Sequence, residues 1–447
     1  MFLLKALVVA SVLFLGWHLR LESVQKTVIK NPIRADATEY FSYAWNLKYK
    51  GVYSAAIPDF KNPSEPPAPD AMRSPGYPLY LSLFVKEQPD FAMVYDIYLS
   101  QAGLSLITLA CLLFVALQIL SFPWAIAAAV FTALSPHLIV ANSYVLTETF
   151  FCFFLVLFMF GWVGLEQKGT LGWALLVGFL LGCTALVRPG IQYFVIPAAI
   201  LLLVRYGRSR WLRITIAFAF GFALTVGPWV IRNAFLGPEA GNRRLMINFI
   251  HHGMYPELKY RDDARTRGFP YVFDPRAREI GESVSNALSE IRQRFRNEPK
   301  RYLRWYLIGK PTTFWSWNMI QGQGGAFVYP VAASPYYEKS GIFPLSMRLM
   351  FSLHWVLVVL AGVGTIGVWW PVFKHRKIGR LDNLPCCLSL LLIYFTAIHM
   401  VGTPLVRYAI PLKPMVYVMA MFCLANIPFS WRSGRVDCGK SAQQAAG

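Results

Sequence analysis

The chain has 447 residues, of which 56% are hydrophobic and only 15% charged, with a mean hydropathy of +0.43. That balance excludes an ordinary soluble domain, in which about a quarter of residues are charged. The net charge of +20 would suggest nucleic acid in a soluble protein; in so apolar a chain it reads as basic loops held on one side of a membrane, with no nucleic-acid partner expected.

Ten apolar runs approach the length of about 20 residues that a helix needs to cross a bilayer: 2–19, 97–119, 122–141, 149–165, 171–187, 191–204, 211–231, 349–373, 384–401 and 404–429. The expected fold class is an all-α polytopic membrane protein with about ten transmembrane helices. The first run ends in Trp17-His18-Leu19-Arg20 with no small-x-small cleavage pattern, so an uncleaved anchor is expected. The loop 21–95 opens with a helical pattern over 35–50, where Tyr40, Tyr43, Ala44 and Leu47 recur at helical spacing and Gly51 is the stop. A proline-rich loop, 58–75, and an apolar aromatic surface segment, 76–85, follow.

Counting the runs from Lys5 puts three basic clusters on one side: Arg205/Arg208/Arg210/Arg213, Lys374/Arg376/Lys377/Arg380 and Arg432/Arg435/Lys440. The positive-inside rule makes that side and both termini cytoplasmic and turns the loops 21–95 and 236–347 outward. In the second loop, Ile280, Val284, Leu288, Ile291 and Phe295 form a stripe of period 3.6, which predicts an amphipathic helix with a basic opposite face. The stretch 302–317, with Trp305, Trp315 and Trp317, predicts an interfacial or re-entrant segment, and 318–336 predicts a mobile lid. Adjacent His251 and His252 are expected at the surface. The cysteines Cys111, Cys152, Cys183, Cys386, Cys387, Cys423 and Cys438 lie in the runs or the tail, so neither a disulfide framework nor structural zinc is expected. Three parts result: a catalytic transmembrane module 1–235, an outer small domain 236–347, and the C-terminal helices and tail 348–447.

Polar residues at membrane spans call for a reason. On this topology Asp36, Glu39, His137, Glu148, Arg188, Arg232, His399 and Arg407 all fall at the outward level, with Lys413 further in. A carboxylate such as Asp36 can serve as general base, and Glu148, with or without His137, can hold a divalent cation such as Mg or Mn through oxygen ligands. Arginines at the lipid boundary suit a phosphate on a lipid tail. The competing reading makes single arginines interfacial anchors, Asp36 a helix N-cap and Glu39 a solvated neighbour.

Several stretches, in order, resemble the GT-C glycosyltransferases, in particular bacterial lipid A aminoarabinose transferases and protein O-mannosyltransferases. They are Asp36-Ala-Thr-Glu39-Tyr40-Phe-Ser-Tyr, Arg73-Ser-Pro-Gly-Tyr77-Pro, Leu146-Thr-Glu148-Thr, Leu186-Val-Arg188-Pro, Gly227-Pro-Trp-Val-Ile-Arg232-Asn and Arg407-Tyr-Ala-Ile-Pro. The resemblance implies an inverting transfer of a sugar from a polyprenyl-phosphate donor to a glycan, lipid or protein acceptor outside the cytoplasm, in a bacterial inner membrane. It makes Asp36 the base and Glu148 the second acid. Arg188, Arg232, Arg407, Arg73 and Lys413 hold donor phosphate, and Glu39, Tyr40 and Tyr77 lie toward the acceptor. Arg73 stands where the aminoarabinose transferases carry a phosphate-holding lysine, and the two-acid metal motif of oligosaccharyltransferases is not found at Glu148. The alternatives are a lipid-linked glycan transporter or flippase, and a non-catalytic glycan-assembly subunit.

Overall fold

A computed structural model describes residues 2–60, 65–237, 241, 243–320, 322–370 and 383–432. The cluster Lys374–Arg380 and the residues Arg435, Cys438 and Lys440 lie outside the described residues, as do the side chains of Arg205, Arg208, Arg210 and Arg432.

Among the described residues the chain is helical without a strand; pairing outside helices is limited to two isolated bridges, Val28 with Ala333 and Gly324 with Phe327. Seven helices are long and apolar enough to cross a membrane. They are α1 (Phe2–Lys26), α4 (Phe91–Leu117), α7 (Glu148–Lys168), the part of α9 (Val195–Leu236) from Leu212 onward, α15 (Ile342–Gly367), α16 (Asn383–Val401), and the stretch Val406–Asn426, which enters α17 (Lys413–Arg432) through a 3-10 turn. Up to eight result when α5 (Phe122–Leu134) and the segment beginning with α6 (Pro136–Val140) are taken as one span bent by 51°. Proline at 136 lacks the N–H that would continue the ladder, which accounts for the bend. The other two runs are shorter apolar helices, α8 (Leu171–Val187) and the stretch Pro189–Leu203. Each of the ten apolar runs therefore overlaps a helix among the described residues, and seven of those helices reach full span length unaided.

Local chemistry sets the helix ends. Asp90 caps α4 by accepting from the Met93 amide at 2.7 Å, and Ser283 caps α12 (Val284–Asn297) by accepting from Asn286 at 3.0 Å. Helix α2 (Asp36–Lys50) stops at Gly51, which takes the left-handed conformation that ends helices at little steric cost. Helix α8 and the second half of α9 pack backbone to backbone. A Cβ at Gly178 would strike the Phe218 carbonyl, and one at Gly182 would strike Thr225. That four-residue spacing of small residues lets membrane helices approach closely.

The polar loops pack onto this bundle. Segment 76–85 forms α3 (Gly76–Ser82), whose Tyr77, Tyr80 and Leu81 are buried, so it is bundle rather than surface. Residues 302–317 form α13 (Pro299–Arg304), a π turn (Trp305–Gly309) and α14 (Lys310–Phe314), and Trp305, Lys310, Phe314 and Trp317 are buried. The stretch expected to be a lid is packed down: Ala326, Phe327, Val328 and Tyr329 are buried, Tyr144 donates to the Tyr329 carbonyl at 3.0 Å, and Ala332 donates to Val28 at 2.7 Å.

Two expectations in the second loop are corrected. The apolar stripe breaks at Gly281, between α11 (Ala277–Ile280) and α12, and the phase shifts there. Ile280, Ala287 and Glu290 face inward while Leu288 is exposed. His251 and His252, on α10 (Arg243–Gly253), are buried, because Tyr255 and Tyr271 pack over them in a small separate core. Burial holds both imidazoles below their ordinary range, His252 at about 4.

Candidate functional site

Five parts of the chain meet at one end of the bundle: the start of α2, the segment leading into α3, the N-terminus of α7, the residues around Arg188, and the residues around Arg407. Their side chains form a line of alternating charge. The Arg73 Nε donates to Glu39 Oε2 at 2.5 Å, and its Nη2 donates to Asp36 Oδ1 at 3.0 Å. Arg407 then joins two acids, reaching Asp36 Oδ2 at 2.8 Å through Nη2 and Glu148 Oε1 at 2.5 Å through Nε. Arg188 shares that same Glu148 oxygen at 2.5 Å through Nη2, and its Nε donates to Thr147 Oγ1 at 2.7 Å.

Three carboxylates and three guanidinium groups thus neutralise one another, which spares each the cost of an unpaired charge at the edge of an apolar bundle. Aromatic faces set the arginine planes: Arg73 lies over Tyr40 at 5.4 Å, and Arg188 lies over Phe151 at 5.4 Å and Tyr408 at 5.6 Å.

The two central acids differ in access. Asp36 retains 32% side-chain exposure and Glu148 only 2%. Burial alone would raise the Asp36 carboxyl, but Arg407 and Arg73 outweigh it and hold the group below its ordinary range, so it is ionised near neutral pH. Ala35, immediately before Asp36, sits at φ 48°, ψ −125°. A non-glycine residue rarely takes a positive φ, and such strain gathers where a neighbouring side chain must be aimed. Asp36 itself is the first residue of α2, and the residue before it makes no side-chain cap, so the N-cap reading of Asp36 does not hold. Glu148 opens α7, where the helix dipole favours a negative charge.

The remaining sequence candidates are placed elsewhere or serve these residues. Tyr77 is fully buried, and its hydroxyl donates to Gln101 Oε1 at 2.9 Å; its ring supports Tyr40 edge to face. Arg232 is not in the charge line. It donates to the Asp70 carbonyl at 2.9 Å and the Tyr53 carbonyl at 3.3 Å and lies over Trp229 and Tyr53, pinning the loop that carries Arg73. Lys413 is buried beside Trp317, its Nζ 5.6 Å from the ring centroid, deeper than the arginines. His137 meets the Trp317 carbonyl through Nε2 at 2.9 Å, and His399 meets the Phe395 carbonyl, so both act as bundle residues.

The proposed metal pair of Glu148 and His137 therefore shares no contact in the structure. Among the described residues no group of three His, Cys, Asp or Glu is placed to hold a metal, and the acids of the site are already matched by arginines. This donor set does not fit a resident divalent cation.

Sequence reasoning passed over Thr147, Tyr408 and Arg20. Arg20 was counted as the end of the first run, yet α1 continues to Lys26 and turns Gly16, Arg20 and Ser23 inward. Their spacing of three and four residues was the available signal.

No family model matches the chain, nor does any curated protein. Solved structures do. The archaeal oligosaccharyltransferase AglB from Archaeoglobus fulgidus, in complex with an inhibitory peptide and a dolichol-phosphate, aligns with 98% of this chain at 12% identity and a TM-score of 0.49. ArnT from Cupriavidus metallidurans bound to undecaprenyl phosphate aligns with 94% at 14% identity and a TM-score of 0.38. The alignments take in 52% of the AglB chain and 77% of the ArnT chain, so this chain spans about half the length of the former.

Proposed function

We propose that the chain is a membrane glycosyltransferase of the GT-C kind. It takes a sugar from a polyprenyl-phosphate donor and passes it, with inversion, to an acceptor at the non-cytoplasmic face. The observation that carries this reading is the charge line itself, with a carboxylate about one-third exposed, Asp36, held by the same arginine that binds a buried acid.

In the reaction the acceptor hydroxyl or amine attacks the anomeric carbon. The bond from that carbon to the phosphate oxygen breaks, and the electron pair leaves with the lipid phosphate. Asp36 takes the acceptor proton. Arg407 and Arg188 stabilise the charge on the departing phosphate by paired hydrogen bonds. Since Arg407 holds Asp36 Oδ2 in this structure, a phosphate that draws Arg407 away would also release the carboxylate and restore its basicity. Donor binding and activation of the base are then one event. Tyr40 and Glu39, beside Asp36, line the acceptor side.

The test is sugar transfer by purified protein in nanodiscs, with mixed polyprenyl-phosphate sugars and a membrane extract as acceptor. Asp36→Asn is expected to lower turnover by about a hundredfold or more while donor binding persists. Near-normal turnover in that variant would remove Asp36 from its role. Donor bound but never transferred by the wild type would favour the transporter or assembly-subunit reading instead.

A further inference from the structure

The helices α12 and α13 carry cations of two kinds. Some are matched: Arg294 pairs with Glu290 at 2.7 Å and Asp274 at 3.4 Å, and Arg301 pairs with Asp262 at 2.5 Å and Glu298 at 3.0 Å. Arg292, Arg296, Lys300 and Arg304 are exposed and make no ion pair among the described residues. They recur every fourth residue, so Arg292 shares one face of α12 with Arg296, and Lys300 shares one face of α13 with Arg304. The acids close to them are already taken by the other arginines, and this row is left open to anions from outside the chain.

The exposed face of α13 turns apolar as it runs on into the π turn. Leu303 and Leu307 follow Lys300 by three and seven residues, which keeps them on its side of the helix, and they are 54% and 57% exposed. Ile308 beside them is 60% exposed. The opposite side is fixed. Tyr302 and Trp305 are buried, Trp305 Nε1 donates to the Gly253 carbonyl at 3.0 Å, and Phe295 of α12 packs on Tyr302 and Tyr306 with ring centroids 5.6 and 5.2 Å apart. Two residues past Ile308, Lys310 donates to the carbonyls of Val401 and Gly402, where the candidate span 384–401 ends. At 1.5 Å of rise per residue, Leu303, Leu307 and Ile308 lie within about 11 Å of that lysine. Three large apolar side chains held open beside a span end are costly in water and favourable among acyl chains. The long stems of Lys300 and Arg304 can then lie along the apolar layer and put their charges at the headgroups.

We propose that the face running from Arg292 to Ile308 is a docking surface for anionic phospholipids of the surrounding bilayer. Leu303, Leu307 and Ile308 lie among the acyl chains, and Arg292, Arg296, Lys300 and Arg304 hold the negatively charged headgroups. The contact seats the second loop on the membrane, whatever reaction takes place at the charge line.

The test uses the full chain in nanodiscs, with the native cysteines replaced and a bimane fluorophore on Leu307→Cys. Quenching is compared for nitroxide-labelled phosphatidylglycerol and nitroxide-labelled phosphatidylcholine at equal mole fraction. Both lipids should quench, with phosphatidylglycerol favoured about fivefold, the enrichment that a single cation near an anionic surface supplies. The fourfold variant Arg292→Gln/Arg296→Gln/Lys300→Gln/Arg304→Gln should keep the quenching by phosphatidylcholine and lose the preference. Absence of quenching by either lipid would show that the apolar face lies outside the bilayer and would overturn the proposal. Equal quenching by the two lipids without substitution of the row, or a preference that survives in the fourfold variant, would overturn it as well. Salt carries the test if the fourfold variant does not fold. Between about 0.1 M and about 1 M salt the screening length shrinks from about 10 Å to about 3 Å, and the preference should fall toward parity. A preference indifferent to salt would remove the cations from the role.

Discussion

Arg407 joins residues 371 and 259 positions away along the chain, Asp36 and Glu148, through one guanidinium. A lysine could not do this, because its compact ammonium lacks the planar fork that reaches two carboxylates in different directions. The consequence at the residue scale is a pH dependence. Asp36 is held low by Arg407 and Arg73, so transfer in the wild type should persist on the acid side until the pH falls through that lowered range. Arg73→Gln removes one of the two cations, raises the carboxyl, and should move the acid limb of the pH–rate profile to higher pH. A limb that stays in place would show that Asp36 is not the titrating base. Asp36, Glu148, Arg188 and Arg407 were legible as a set from their shared level at span ends. That Arg232, Lys413 and Tyr77 find their partners outside that line was not legible, because burial and partner choice depend on which side chain lies opposite.

At the scale of elements, a buried lysine is one of the ties that fasten the second loop to the bundle. Lys310, at the start of α14, is fully buried and donates to the carbonyls of Val401 at 3.0 Å and Gly402 at 2.9 Å, where α16 ends. Its Nζ also lies over the Tyr306 ring at 3.6 Å. A donor at a helix C-terminus satisfies carbonyls that the helix leaves open. Burial lowers this lysine from 10.5 to about 6. Between those values the unfolded chain binds a proton that the folded chain does not, so stability should rise with pH across that window. Unfolding midpoints in detergent should therefore climb from pH 6 toward 10, and Lys310→Met should flatten the climb. An equal slope in the variant would assign it to other groups. The sequence marked 302–317 as too polar to span. It did not reveal the buried lysine, since nothing in that stretch names the helix end it caps.

For the whole molecule, the basic loops argue that both termini face the cytoplasm and the charge line faces away. This is open to a direct check by replacing the native cysteines, introducing single cysteines and labelling intact cells with a membrane-impermeant maleimide. Gln293→Cys, on the exposed face of α12, should label in intact cells, and Gln167→Cys, at the end of α7, only after lysis. The reverse pattern would invert the topology and place the site in the cytoplasm. Both positions are solvent-exposed, so reactivity reports the side of the membrane and not burial.

Hydrophobic run length and loop charge determined the class of this protein: an all-α polytopic bundle whose polar residues gather at span ends. Those properties are local, because a bilayer imposes its thickness on every segment separately and penalises any unmatched charge within it. Tertiary structure alone decided the pairing. It joined Asp36 to Glu148 through Arg407, sent Lys413 and His137 to Trp317, and packed 326–332 against the residues after α1 and before α7. A charge in an apolar medium must find a partner within a few ångströms, and which partner is near is set by how helices distant in sequence cross, which no local pattern records.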